Sequence, residues 1–113
     1  MNELYILGAK INDISLNEAM EKVANFLLSG QKGYMVTPNP EICLMSYRDK
    51  KFRRLIQNSF LAIPDGSGLK IGARILGDKL NNKTTGADLS QKILELAEHK
   101  NYSILLSYSL RHK

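Results

Sequence analysis

One cysteine, two histidines and no long apolar run set the first limits on what this chain of 113 residues can be. A lone Cys43 rules out a disulfide framework within the chain and makes a reducing compartment the default setting. Inside Ile42-Cys43-Leu44-Met45 it reads as a small buried hydrophobe rather than a nucleophile. His99 and His112 have no Cys or His neighbour at metal-ligand spacing and lie in polar, lysine-flanked surroundings, so no protein-bound metal or cofactor is expected. No segment approaches the roughly 20 apolar residues that span a bilayer. The start, Met1-Asn2-Glu3-Leu4, lacks the basic region and apolar core of a secretory signal.

What is present fits one small α/β domain, residues 1–113, or the N-terminal portion of a larger one. Hydrophobic residues make up 43% and charged residues 24%, enough for a core of modest size. The formal charge of +5 and a pI near 9.4 favour phosphate ligands, an anionic membrane surface or nucleic acid as partners. The excess gathers at Arg48, Lys50, Lys51, Arg53 and Arg54 around Phe52. That cluster reads either as a solvated helix face with Phe52 and Leu55 turned inward, or as an electrostatic footprint for acidic lipids. Nucleic acid is not expected, because no exposed aromatics are interleaved to stack bases.

Along the chain, strand and helix patterns alternate. Leu4 to Gly8 and Lys10 to Ile14 look extended, and Ser15-Leu16-Asn17-Glu18 then has the form of a capping box. Leu16, Ala19, Met20, Val23 and Leu27 recur at spacings of three and four, which predicts an amphipathic helix ending at Gly30. Tyr34 to Thr37 predicts a strand, Asn39 a cap for a helix from Pro40 to about Tyr47, and Asp49 a cap for another from Lys50 to Gln57. Phe60 to Ile63 is a third strand pattern, 69–76 a short helix, and 77–83 a polar loop. The stretch from Thr84 to Asp88 opens a helix with Leu89, Ile93, Leu96 and Ala97 on one face, and 102–106 is a further strand pattern.

Strands separated by helices argue for a Rossmann-like α/β fold, an open and mainly parallel sheet with helices on both faces. Ligands of such sheets collect where strand-to-helix loops meet at the carboxyl ends of the strands. Three polar loops are expected there: Thr37 to Glu41, Asp65 to Gly68, and Lys83 to Asp88. Ile63-Pro64-Asp65-Gly66-Ser67-Gly68 is the most informative of them. An acid where a buried strand stops can expose its carboxylate over a ligand, while the glycines allow close approach. The same elbow also reads as an ordinary turn with Asp65 as a helix cap.

Val36-Thr37-Pro38-Asn39-Pro40-Glu41, the Asp65 elbow and Thr85-Gly86-Ala87-Asp88-Leu89, in this order and spacing, resemble the WecG/TagA/CpsF glycosyltransferases. The similarity runs from about Leu4 to Leu106. It implies an inverting transfer of N-acetylmannosamine, or a related hexosamine, from a UDP-sugar to N-acetylglucosamine on undecaprenyl diphosphate, as in teichoic acid, common-antigen or capsule assembly. Asp65 then matches the family's proposed base, and Thr37 and Asn39 match residues lining its substrate pocket. Gly66 and Gly68 are suited to close approach by phosphate or sugar, and Lys83, Thr85, Gly86 and Asp88 are further substrate-binding candidates. At Lys83-Thr84 the family more often has arginine followed by an apolar residue; lysine keeps the charge and loses the bidentate fork.

The resemblance also implies a cytoplasmic location, peripheral at the inner face of the bacterial membrane. Members continue past the equivalent of residue 106 with a glycine turn, further β/α units and a basic tail that meets the anionic surface. Residues 107–113 lack that turn, so the expectation is a shortened form, incomplete at its C-terminus, with impaired transfer. The alternative is a non-catalytic remnant that binds lipid-linked sugar or sugar nucleotide, or pairs with another polypeptide. An uncovered sheet edge would favour self-association into a homo-oligomer.

Overall fold

The computed structural model describes residues 2–65, 80 and 84–100. Strands β1 (Asn2–Ile6) and β2 (Ala9–Asp13) pair antiparallel, from Asn2 opposite Asp13 to Ile6 opposite Ala9. Their two-residue loop has positive φ at both positions, 51° at Leu7 and 86° at Gly8, which suits the right-handed twist of a hairpin. Leucine takes this conformation at a cost of about 1 kcal/mol, and glycine takes it freely. Gly8 is also tightly placed: a Cβ there would lie 2.9 Å from Arg53 Nε.

Helix α1 (Leu16–Leu28) opens on the expected Ser15 cap, with Glu18 returning to the Ser15 hydroxyl rather than to its backbone N–H as a full capping box would. The Glu18 N–H donates to Ser15 Oγ at 3.2 Å, and Ser15 Oγ donates to Glu18 Oε1 at 3.1 Å. After β3 (Met35–Val36), Asn39 caps α2 (Pro40–Arg48) by accepting the Ile42 N–H at 2.8 Å. Asp49 then ends α2 and caps α3 (Lys50–Gln57), its Oδ1 accepting the Lys51 N–H at 2.9 Å. Strand β4 (Leu61–Ala62) and helix α4 (Gly86–Lys100) complete the described elements.

β3 and β4 pair parallel, Met35 opposite Leu61 and Val36 opposite Ala62. Backbone bonds extend this contact: Phe60 N–H to Tyr34 C=O at 2.8 Å, Ile63 N–H to Val36 C=O at 3.0 Å, and Asp65 N–H to Pro38 C=O at 2.9 Å. Met35, Leu61 and Ile63 join Ala19 and Val23 of α1 and Leu89 of α4 in one apolar cluster. Val36 joins Ile6, Ile11, Cys43, Phe52, Ile56 and Leu80 in another. The parallel pair therefore carries α1 and α4 on one side and α2, α3 and the hairpin on the other.

Two expectations are revised. Among the described residues the sheet is two separate two-stranded pieces, and only β3–β4 is parallel. The reason lies in the loop between β1 and β2, since two residues can reverse a strand but cannot make the crossover of a dozen or more that a parallel neighbour needs. Leu55 is exposed rather than inward, because Phe52 and Ile56, four apart, share the buried face of α3. The expected helix over 69–76, most of the loop 77–83 and the strand over 102–106 lie outside the described residues.

Candidate active site

The β4 backbone divides its polar groups between two neighbours, and this division builds the site. Ile63 and Asp65 donate toward β3 and its following loop. On the opposite edge the Ala62 N–H donates to Asn12 Oδ1 at 2.7 Å, and the Pro64 C=O accepts the Gly86 N–H at 3.0 Å. A side chain of β2 and the first turn of α4 thus take up two of the polar groups on this edge. Lys10, also buried, reinforces the junction by donating from Nζ to the Ser59 C=O at 2.6 Å.

These bonds bring the three loops together. Asp65 is tied to Pro38, Pro64 to Gly86, and Gly86 packs directly on Thr37. A Cβ on Gly86 would lie 2.7 Å from Thr37 Cβ and closer still to its methyl carbon Cγ2. Thr85 caps α4, its Oγ1 accepting the Asp88 N–H at 3.2 Å, and Thr84 Oγ1 donates to the Ile14 C=O at 2.7 Å. The last bond anchors the start of α4 to the residue that follows β2.

The candidates among the described residues now have places. Asp65 is exposed and held by its backbone; among the described residues nothing donates to its carboxylate. Thr37 and Asn39 are half-buried beside it in the chain of contacts, and Asn39 spends Oδ1 on its cap while its amide N–H₂ has no partner among the described residues. Asp88 is exposed in the first turn of α4 and Gly86 is buried. Gly66, Gly68 and Lys83 lie outside the described residues. A cleft of about 290 Å³ that includes Lys22, Phe26 and Phe60 lies at the other end of β4 and contains none of the candidates. Cys43 is only 1% exposed, and burial pushes its thiol up to about 11, so it is inert as a nucleophile at neutral pH.

The residues that hold the loops in place were the ones missed. Asn12 and Lys10 are buried polar groups on β2, and the only sign in the sequence is that polar side chains alternate with Ala9 and Ile11 in a short strand. No group of three or more His, Cys, Asp or Glu among the described residues stands close enough to hold a metal ion. No helix among them is long and apolar enough to cross a membrane.

The profile of the glycosyl transferase WecG/TagA/CpsF family matches residues 4–108. A protein of Bacillus spizizenii named N-acetylglucosaminyldiphosphoundecaprenol N-acetyl-beta-D-mannosaminyltransferase is 24% identical over 101 residues, covering 88% of this chain and 39% of that protein. A Bacillus subtilis protein of the same name is 29% identical over 70 residues, covering 62% of this chain and 27% of that protein. The chain thus spans about two fifths or less of the length of these relatives.

Proposed function

The chain belongs to the glycosyl transferase WecG/TagA/CpsF family, and on that premise we propose that its site takes part in transfer of N-acetylmannosamine from a UDP-sugar to undecaprenyl-diphosphate-linked N-acetylglucosamine. The observation that carries this reading is the convergence of the Thr37, Asp65 and Gly86 loops at the carboxyl ends of β3 and β4. Here Asp65 is the base. Its carboxylate takes the proton of the acceptor hydroxyl as that oxygen forms a bond to the anomeric carbon. The bond from that carbon to the diphosphate breaks on the opposite face, UDP departs with the electron pair, and the configuration inverts.

Thr37 and Asn39 hold sugar hydroxyls in register, Asn39 through the amide N–H₂ that its cap leaves over. Gly66, Gly68, Lys83, Thr85, Gly86 and Asp88 are the further residues assigned to substrate binding in this reading. The wider fold in this reading is a Rossmann-like sheet extended beyond β3–β4. The protein works at the inner face of the bacterial membrane, in wall teichoic acid or related surface-polymer synthesis. Self-association of the chain belongs to the same proposal.

Asp65 is exposed and, among the described residues, is held only through its backbone N–H, so Asp65→Asn is expected to fold normally. In a full-length member of the family with this substitution, transfer of radiolabelled N-acetylmannosamine is expected to fall by about 10²-fold or more, at unchanged thermal midpoint. Unchanged turnover rejects Asp65 as base. Applied to the 113-residue chain alone, the same assay separates transfer from binding without product.

A further inference from the structure

The corner between α2 and α3 carries charge and apolar surface that the site does not use. Residues 47–51 are exposed without interruption: Tyr47, Arg48, Asp49, Lys50 and Lys51. One turn back along α2, Leu44 is 40% exposed, on the same face as Tyr47 and Arg48 at spacings of three and four. One turn on along α3, Arg54 and Leu55 stand at the same spacings from Lys51. Tyr47 is 61% and Leu55 55% exposed. Each helix thus sets exposed apolar side chains beside exposed basic ones next to the corner.

The frame beneath this surface is firm. Arg53 is spent on the fold, donating from Nε to the Ser46 C=O at 3.0 Å and from its guanidinium to the Tyr47 C=O at 2.8 Å, so it closes the carbonyl end of α2. Asp49, the acid in the middle, accepts the N–H groups of Lys51 and Phe52 with its Oδ1. Tyr34 ties down the far end by donating its hydroxyl to the Leu55 C=O at 2.7 Å. The basic side chains that remain exposed are Arg48, Lys50, Lys51 and Arg54.

We propose that this α2–α3 corner docks on an anionic lipid bilayer, its four exposed basic residues meeting headgroup phosphates while Leu44, Tyr47 and Leu55 enter the interfacial layer. Charge complementarity selects the bilayer's sign, and the apolar side chains select a bilayer over nucleic acid. Tyr47, 61% exposed beside Arg48, departs from the expectation that no exposed aromatic lies among these basic residues, but a duplex keeps its bases stacked on one another and gives Leu44 and Leu55 nothing to bury in. The surface is separate from the Asp65 loops, and the inference does not depend on the reaction proposed for them.

Sedimentation with vesicles tests it. The 113-residue chain is expected to bind phosphatidylcholine vesicles containing about one third phosphatidylglycerol, to bind pure phosphatidylcholine weakly, and to be released by salt. Lys50→Glu with Lys51→Glu places acids in the first turn of α3, where they favour the helix dipole, so the fold is retained or strengthened. Lost attraction of about fivefold per basic residue predicts at least about a 25-fold drop in vesicle affinity for this pair. Tyr47→Ser with Leu55→Ser is expected to weaken binding several-fold while leaving its salt dependence. Equal binding to neutral vesicles, undiminished binding by the Lys50/Lys51 variant, or tighter binding to a DNA duplex that ignores Tyr47 and Leu55 overturns the proposal.

Discussion

Gly86 rests against Thr37 so closely that no side chain fits between them. This contact, with the bond from the Gly86 N–H to the Pro64 C=O, fixes the first turn of α4 against the loops that follow β3 and β4. Gly86→Ala is therefore expected to destabilise the chain by about 1–3 kcal/mol through overpacking. Urea denaturation checks it through a lowered midpoint at unchanged slope. Adding Thr37→Ser to Gly86→Ala removes the methyl carbon but leaves Thr37 Cβ, which would lie 2.7 Å from the new Cβ, so recovery is expected to be partial. Full stability in Gly86→Ala would mean that the loops are free to separate.

Burial raises the Cys43 thiol from its ordinary 9.0 to about 11. Between those values the unfolded chain gives up the thiol proton while the folded chain keeps it, so stability falls as pH rises through this window. Tyr5, raised by the hydrogen bond its hydroxyl makes to Glu3, pushes in the same alkaline direction, so the comparison must be made against Cys43→Ala. The alanine variant is expected to start less stable and to lose less between about pH 9 and 11. Urea midpoints across that range give the result. In parallel, a thiol reagent at about pH 8 is expected to label the native chain far more slowly than the denatured one. Equal rates would place Cys43 at the surface.

The features most legible in the sequence are those closed by neighbours in the chain. Ser15, Asn39 and Asp49 cap their helices as expected, because each bond spans only two or three residues and needs no tertiary partner. The convergence of the Thr37, Asp65 and Gly86 loops was also readable, since it follows from strand order and helix placement rather than from any single contact. Leu55 shows where periodicity fails: Phe52 is followed by apolar residues at both three and four positions, and only packing against Ile6, Ile11 and Cys43 selects Ile56. Asn12 shows a second kind of failure. In an isolated hairpin its face of β2 would be wet; in the fold it is buried and accepts the Ala62 N–H of β4. That partner is 50 residues away in the chain.

Asn39 joins stability to the site, and substitution can separate the two. Its Oδ1 holds the Ile42 N–H at 2.8 Å, and its amide N–H₂ is the group proposed to meet sugar. Asn39→Ala loses both and is expected to cost about 1 kcal/mol of stability in addition to ligand affinity. Asn39→Asp keeps an N-cap of equal rank, so its urea midpoint is expected to stay close to the parent's. It removes the amide donor, however, and places a carboxylate one residue from Pro38, whose C=O holds the Asp65 N–H. A sugar diphosphate is then repelled, and its binding by calorimetry in a full-length member is expected to weaken about 10-fold or more. Undiminished binding by Asn39→Asp would reduce Asn39 to a helix cap and move the sugar-holding role to Thr37.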